Sequence, residues 1–334
     1  MDVTGRVVVI VGASSGIGRE TALAFAQRGA SVAVAARNEQ ALETLSAEVN
    51  RLGGKALAAV TDVSDHKQVS ALAAKAAEHF GRIDTWVNNA AVLTYGTVEQ
   101  MDADELHRVI EVDLMGQIYG MKAALPYVQA SAGTIINVAS ILGKRAIPLQ
   151  AAYCAAKHGV IAFGEALRLE LQAQGSPVRV VDVLPSSINS PLYDNARSKL
   201  GVVPKPVGRV YEPSVVAEAI VAVAEHPVRQ VYAGFVGRLV DLAQRISPSF
   251  VDWYMRGPWN ATAGQRTDLA DDGHDNLFSP STGKGSVTGR FGRHSQSTSV
   301  YTKLFGSHPA AGRVAVGAGL AATTVLIRRL GRRS

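Results

Sequence analysis

The chain is short of several things, and each shortage narrows what it can be. A single cysteine, Cys154, excludes an internal disulfide framework and suits a reducing compartment. There is no secretory leader pattern, because Arg6 and a glycine turn from Gly12 bracket an apolar run too short for one. Acidic residues stop at Asp275, so the end of the chain is one-sidedly basic. Residues 1–255 hold 23 Lys and Arg against 24 Asp and Glu, a net −1, whereas residues 256–334 hold 11 against 4, a net +7. No nucleic-acid reading motif or aromatic platform accompanies these charges, so a solvated basic tail is expected and no nucleic-acid partner. A long apolar run is lacking there too. Val314–Ile327 is fourteen uncharged residues, followed by Arg328, Arg329, Arg332 and Arg333, against the roughly 20 that span a bilayer.

What is present begins with Tyr153 and Lys157, four residues apart on one predicted helix face. A phenol titrates near 10, and an ammonium one turn away favours the phenolate, so Tyr153 is expected to have a lowered pKa and to act as a general acid/base. Upstream, Val7–Val11 is a β-branched run without alternation, as in a strand covered on both faces. It leads into Gly12-Ala13-Ser14-Ser15-Gly16-Ile17-Gly18 and then a helical pattern from Arg19. Strand, glycine turn and helix form a dinucleotide site: glycines admit the pyrophosphate, and the helix's unpaired amides attract it. A further apolar strand, Ile135–Ala139, ends in Ser140, thirteen residues before Tyr153. A hydroxyl at that strand's carboxyl end could orient a substrate oxygen beside the phenol.

Together these elements resemble the short-chain dehydrogenase/reductase family over about residues 4–235. The resemblance rests on Gly12, Gly16 and Gly18, on Asn88-Asn89-Ala90-Ala91, and on Ser140, Tyr153 and Lys157. It implies a Rossmann-type fold and hydride transfer between a nicotinamide cofactor and a small-molecule carbonyl or secondary alcohol. Tyr153 would then be the general acid/base, Ser140 would bind the reacting oxygen, and Lys157 would lower the Tyr153 pKa and hold the nicotinamide ribose. Cofactor contacts are implied at Gly12, Ser14, Ser15, Gly16, Ile17, Gly18, Arg37, Asp62, Val63, Asn89, Ala90, Tyr153, Lys157 and Ile188, with Asp62 accepting from the adenine amine. A dimer or tetramer is also implied. No metal is. Asp113 stands where the family commonly has an Asn that holds a relay water; a carboxylate there cannot donate while ionised and would raise the Lys157 pKa. Ala91 replaces a Gly, and Ser190 replaces a Thr.

The cofactor reading turns on the end of the second strand, Ser31–Ala36. An acid there would accept from the adenosine ribose and repel a 2′-phosphate, but the chain has Ala36 and then Arg37, which favours NADP(H).

Strand-like runs at about 7–11, 31–36, 56–60, 84–87, 134–138, 178–184 and 230–235 alternate with helical segments. They predict an α/β fold, a doubly wound seven-stranded parallel sheet, in one domain of residues 1–255. Residues 191–213, with four prolines, occupy the lid position, and one or two short helices interrupted at Pro248 follow. Residues 256–303 read as a largely irregular linker, or an arm on a neighbouring subunit. Residues 304–334 read as a basic apolar tail helix, either membrane-associated through 310–327 or packed in a soluble assembly, which places the protein in the cytoplasm or at the cytoplasmic face of a membrane. The alternative function is an NADP(H)-binding scaffold or membrane-tethered protein with little turnover.

Overall fold

The computed structural model describes residues 2–257 and 260–303. Seven strands form the central sheet: β1 Val7–Val11, β2 Ser31–Ala36, β3 Lys55–Val60, β4 Thr85–Asn88, β5 Thr134–Val138, β6 Arg179–Pro185 and β7 Gln230–Ala233. Their spatial order is β3-β2-β1-β4-β5-β6-β7, and every neighbouring pair is parallel. All five residues of β1 are buried, with Val8 and Ile10 packed into one hydrophobic layer and Val9 and Val11 into the other. Two covered faces explain why β1 reads as an unbroken apolar run.

Helices α1 Gly16–Gln27 and α2 Glu39–Arg51 contribute to the first layer, and α3 His66–Phe80 contributes to the second. Strand order reverses between β1 and β4, which opens a crevice at their carboxyl ends. A buried polar ladder fastens the strands beside that crevice. Asn88 Nδ2 donates to Asn137 Oδ1 at 3.0 Å, Asn137 Nδ2 to Asp182 Oδ1 at 3.2 Å, and Arg168 to Asp182 Oδ2 at 3.1 Å. The residues stand in register across β4, β5 and β6.

Helix α4, Ala103–Ile110, starts on a capping box between Asp102 and Glu105 and runs through a π-helical turn, Glu111–Met115, into α5, Gly116–Ser131. That turn carries Asp113 inward. Helix α6, Ala151–Ala173, holds Tyr153 and Lys157, and α7 is Pro213–Glu225.

After β7, Gly234 takes φ +101° and ends the strand short of 235. Helices α8, Phe235–Ile246, and α9, Pro248–Arg256, separate at Pro248, which needs no amide at the first helical position. In the segment expected to be largely irregular, Arg266–Ala270 pairs antiparallel with Val202–Pro204, and residues 276–286 lie against α1 and α2 of the same chain. The tail expected at 304–334, with its apolar 310–327 stretch, falls outside the described residues. Among the described residues no helix is long and apolar enough to cross a membrane.

Candidate active site

The crevice deepens into a cavity of about 660 Å³ that runs from the glycine turn to the inner faces of α8 and α9. At one end Gly12, at φ +83°, sits so close to Ala90 that a Cβ would come within 2.5 Å of its backbone. Only glycine fits that cradle. Asn89 Nδ2 donates to the Gly12 carbonyl at 2.8 Å and holds the turn. Ser14, Ser15, Gly16 and Ile17 line the cavity, and Ser15 enters α1 extended without a side-chain cap. Gly18 does not touch the cavity. A Cβ there would strike the Gly12 carbonyl and Asn89, so Gly18 lets α1 pack against the turn.

Arg37, Asp62, Val63, Ala90 and Ile188 also line the wall. Burial lowers the Arg37 pKa, opposed by Asp62. Both Asp62 oxygens are already occupied: Oδ1 accepts from the Ser64 amide at 3.0 Å and its hydroxyl at 2.8 Å, and Oδ2 accepts from Arg108 at 2.8 Å. Burial pushes the Asp62 carboxyl up, but Ser64 and Arg108 more than offset it, and its pKa lies below the ordinary value.

Ser140, Tyr153 and Lys157 meet at the middle of the cavity, all buried. Ser140 Oγ accepts from the Leu142 amide at 3.1 Å and acts on the Tyr153 hydroxyl beside it. The Lys157 ammonium lies 5.4 Å from the centre of the Tyr153 ring, 3.3 Å from the Val138 carbonyl and 3.7 Å from Asp113 Oδ2. Asp113 itself is 0 % exposed and lies behind Lys157 rather than on the cavity wall. Its Oδ1 accepts from the Val92 amide at 2.8 Å, while no hydrogen bond reaches Oδ2.

The electrostatics correct the expectation of an acidified phenol. Burial raises the Tyr153 pKa well above its ordinary value, and the Asp113 carboxylate raises it further; the Ser140 hydroxyl pulls the other way. Asp113 raises the Lys157 pKa as expected, but burial lowers it more, and it lies below the ordinary value. Burial lifts Asp113 to about 6, against the pull of Lys157 and the Val92 amide. The ammonium lies over the phenol ring, but desolvation and the Asp113 carboxylate set the direction of the Tyr153 shift.

Several wall residues had no signal in the sequence. Asn38, the N-cap of α2, donates to the carbonyls of Ser281 and Gly283, and Asn276, Pro280 and Ser281 reach the cavity from the far side of the chain. Arg108 joins Asp62 to the Leu277 carbonyl.

The rest of the cavity is mostly apolar, interrupted by Arg145, Gln150, Tyr193 and Arg209. Leu93, Leu142, Ile147 and Leu192 come from the body, and Val240, Val251 and Met255 come from α8 and α9.

Comparison with known proteins agrees with this geometry. A family model described as short chain dehydrogenase matches residues 6–201. The chain is 37 % identical over 253 residues to the uncharacterized oxidoreductase YxnA of Bacillus subtilis, covering 75 % of this chain and 71 % of that one. It is 37 % identical over 228 residues to a trans-4-hydroxycyclohexanecarboxylate dehydrogenase of Sinomonas cyclohexanicum, covering 66 % and 86 %. Among solved structures, the alcohol dehydrogenase of Thermococcus sibiricus, complexed with 5-hydroxy-NADP, matches with a TM-score of 0.60 at 27 % identity, over 68 % of this chain and 94 % of that one. From β1 to the Lys157 ammonium the arrangement is that of one family of oxidoreductases, and the chain belongs to the short chain dehydrogenases.

Proposed function

We propose that the protein is an NADP(H)-dependent oxidoreductase that interconverts a carbonyl and a secondary alcohol, acting on a substrate with an apolar body. The observation that carries this reading is the continuity of the cavity, which joins the glycine cradle, Arg37, the Ser140–Tyr153–Lys157 group and an apolar chamber in one space. The residues present fit a dinucleotide. Gly12 packs its turn tightly against Ala90, and Gly12, Ser14, Ser15 and the first residues of α1 line the cavity. Arg37 follows Ala36 with no acid at the end of β2, which favours the 2′-phosphate of NADP(H). The bound nicotinamide would supply or accept the hydride.

The chain's own residues would do the rest. With its pKa raised, Tyr153 keeps its proton at neutral pH and is a donor to a carbonyl oxygen, while Ser140 donates a hydrogen bond to the same oxygen. Lys157 would hold the nicotinamide ribose and sit between Tyr153 and Asp113. Asp113, at about 6, can hold or release a proton behind Lys157 near neutrality. Leu142, Ile147 and Val240 favour an apolar substrate body by excluding water around it.

The buried Asp113 carboxylate also favours a second reading, a cofactor-binding protein with little turnover, because it opposes ionisation of Tyr153. One experiment separates the two: NADPH oxidation by the purified protein over a panel of lipophilic ketones and aldehydes, beside a Tyr153→Phe variant. Turnover that disappears in the variant supports the enzyme. Cofactor binding without turnover across the panel supports the second reading, and full turnover by Tyr153→Phe would contradict the assigned chemistry.

A further inference from the structure

Residues 276–286 lie beyond the stretch that the family match covers, yet they contact the same elements that would receive the cofactor. Arg37 donates to the Asn276 carbonyl at 2.5 Å and to the Phe278 carbonyl at 3.2 Å. Asn38 Nδ2 donates to the Ser281 carbonyl at 2.6 Å and the Gly283 carbonyl at 3.0 Å, and the Thr44 hydroxyl donates to the Lys284 carbonyl at 2.7 Å. The first amide of α1, at Gly16, donates to the Ser286 carbonyl at 2.8 Å. The segment is therefore tied down at the end of β2, at the start of α2 and at the start of α1. Leu277, 1 % exposed, anchors it in the hydrophobic layer.

We infer that residues 276–286 form a strap across the adenosine end of the cofactor site, so that a bound dinucleotide leaves only when the strap lifts. This rests on the dinucleotide reading above. The strap is a wall of the site and not a plug in it, because Asn276, Pro280 and Ser281 line a cavity that remains about 660 Å³ in volume. It also fixes the Arg37 guanidinium by two of its five N–H donors, which leaves three to face a phosphate. Main-chain carbonyls of the strap accept from five side chains, Arg19, Arg37, Asn38, Thr44 and Arg108, and from one amide, bonds that can part without unfolding the sheet.

Gly285 supplies the test. It has φ +77°, and a Cβ would run into the main-chain oxygen of Ser14, so Gly285→Val in the full chain forces the strap off the glycine turn. Release of NADPH and of NADH is followed by stopped-flow fluorescence against a chase of oxidised nucleotide. The variant is expected to release nucleotide at least about tenfold faster, the effect of losing one or two net hydrogen bonds. Hydrogen exchange on the parent protein gives a second reading that needs no variant, and nucleotide is expected to slow exchange across 276–286. A parental release rate with unchanged exchange overturns the strap, and so does tighter binding by the variant, which would make the segment a plug. If the parent binds neither nucleotide, the dinucleotide reading itself falls, a result distinct from the other two.

Discussion

Asp113 and Lys157 form a buried pair beneath the active centre, with the carboxylate Oδ2 3.7 Å from the ammonium and both side chains at most 1 % exposed. The pair reaches the chemistry through charge: ionised Asp113 stabilises both the lysine ammonium and the neutral Tyr153 phenol.

Asp113→Asn removes that charge without removing bulk. Both the Tyr153 and the Lys157 pKa should then fall. In the reductive direction Tyr153 must carry its proton, so activity is lost as pH rises through its pKa. The alkaline limb of kcat/KM should move to lower pH in the variant, read from pH profiles of the two proteins. An unmoved limb would disconnect Asp113 from the phenol.

The same residue links stability to pH. Its folded pKa, about 6, lies above the unfolded value of 3.8, so the folded state holds the proton more tightly. The resulting stabilisation is complete below about pH 3.8 and is lost as pH rises through 6, with a ceiling of about 3 kcal/mol. Asparagine does not titrate. The Tm of Asp113→Asn relative to the parent should therefore rise between pH 5 and 7, and a constant difference would contradict the assigned ionisation.

Arg37 separates the two cofactors. Loss of a guanidinium at a 2′-phosphate removes charge-assisted hydrogen bonds of about 1.5–3 kcal/mol, so Arg37→Ala should weaken NADPH binding by about 10- to 100-fold more than NADH. Because Arg37 also holds Asn276 and Phe278, both nucleotides will lose some affinity. The ratio is the readout. Equal losses would remove the NADP(H) preference.

The polar ladder makes a prediction about the scaffold. Asp182 is 1 % exposed, and burial raises its pKa against the pull of Arg168. Arg168→Met would strand that carboxylate, at a cost of about 3–5 kcal/mol. Denaturant unfolding at pH 7 measures it, and a change below about 1 kcal/mol would show that the ladder does not depend on its terminal charge.

The inner strands were legible because a doubly covered strand is mostly apolar, as in Val7–Val11 and in Ile135–Val138, where Asn137 alone is polar and is held by the ladder. Ser140, Tyr153 and Lys157 were legible as a group because a strand end and one helical turn bring them together whatever surrounds them. The signs of their pKa shifts were not, since these depend on how much water the fold removes, which spacing alone does not encode. Gly18 shows a related limit: a glycine needed for packing and one needed by a ligand look alike in the sequence. The strap at 276–286 left no mark because its hold is through main-chain carbonyls, which every residue carries.

The most direct measurement follows the hydride and the proton together. NADPH deuterated at the transferring position is mixed with a ketone that the protein turns over, and the alcohol is analysed by mass spectrometry for the parent and for Tyr153→Phe, with nucleotide affinity measured in parallel. The account predicts deuterium at the carbinol carbon with the parent, and a rate at least about 100-fold lower in the variant at similar NADPH affinity, the scale of a lost general acid. Deuterated alcohol formed equally fast by both proteins would contradict it.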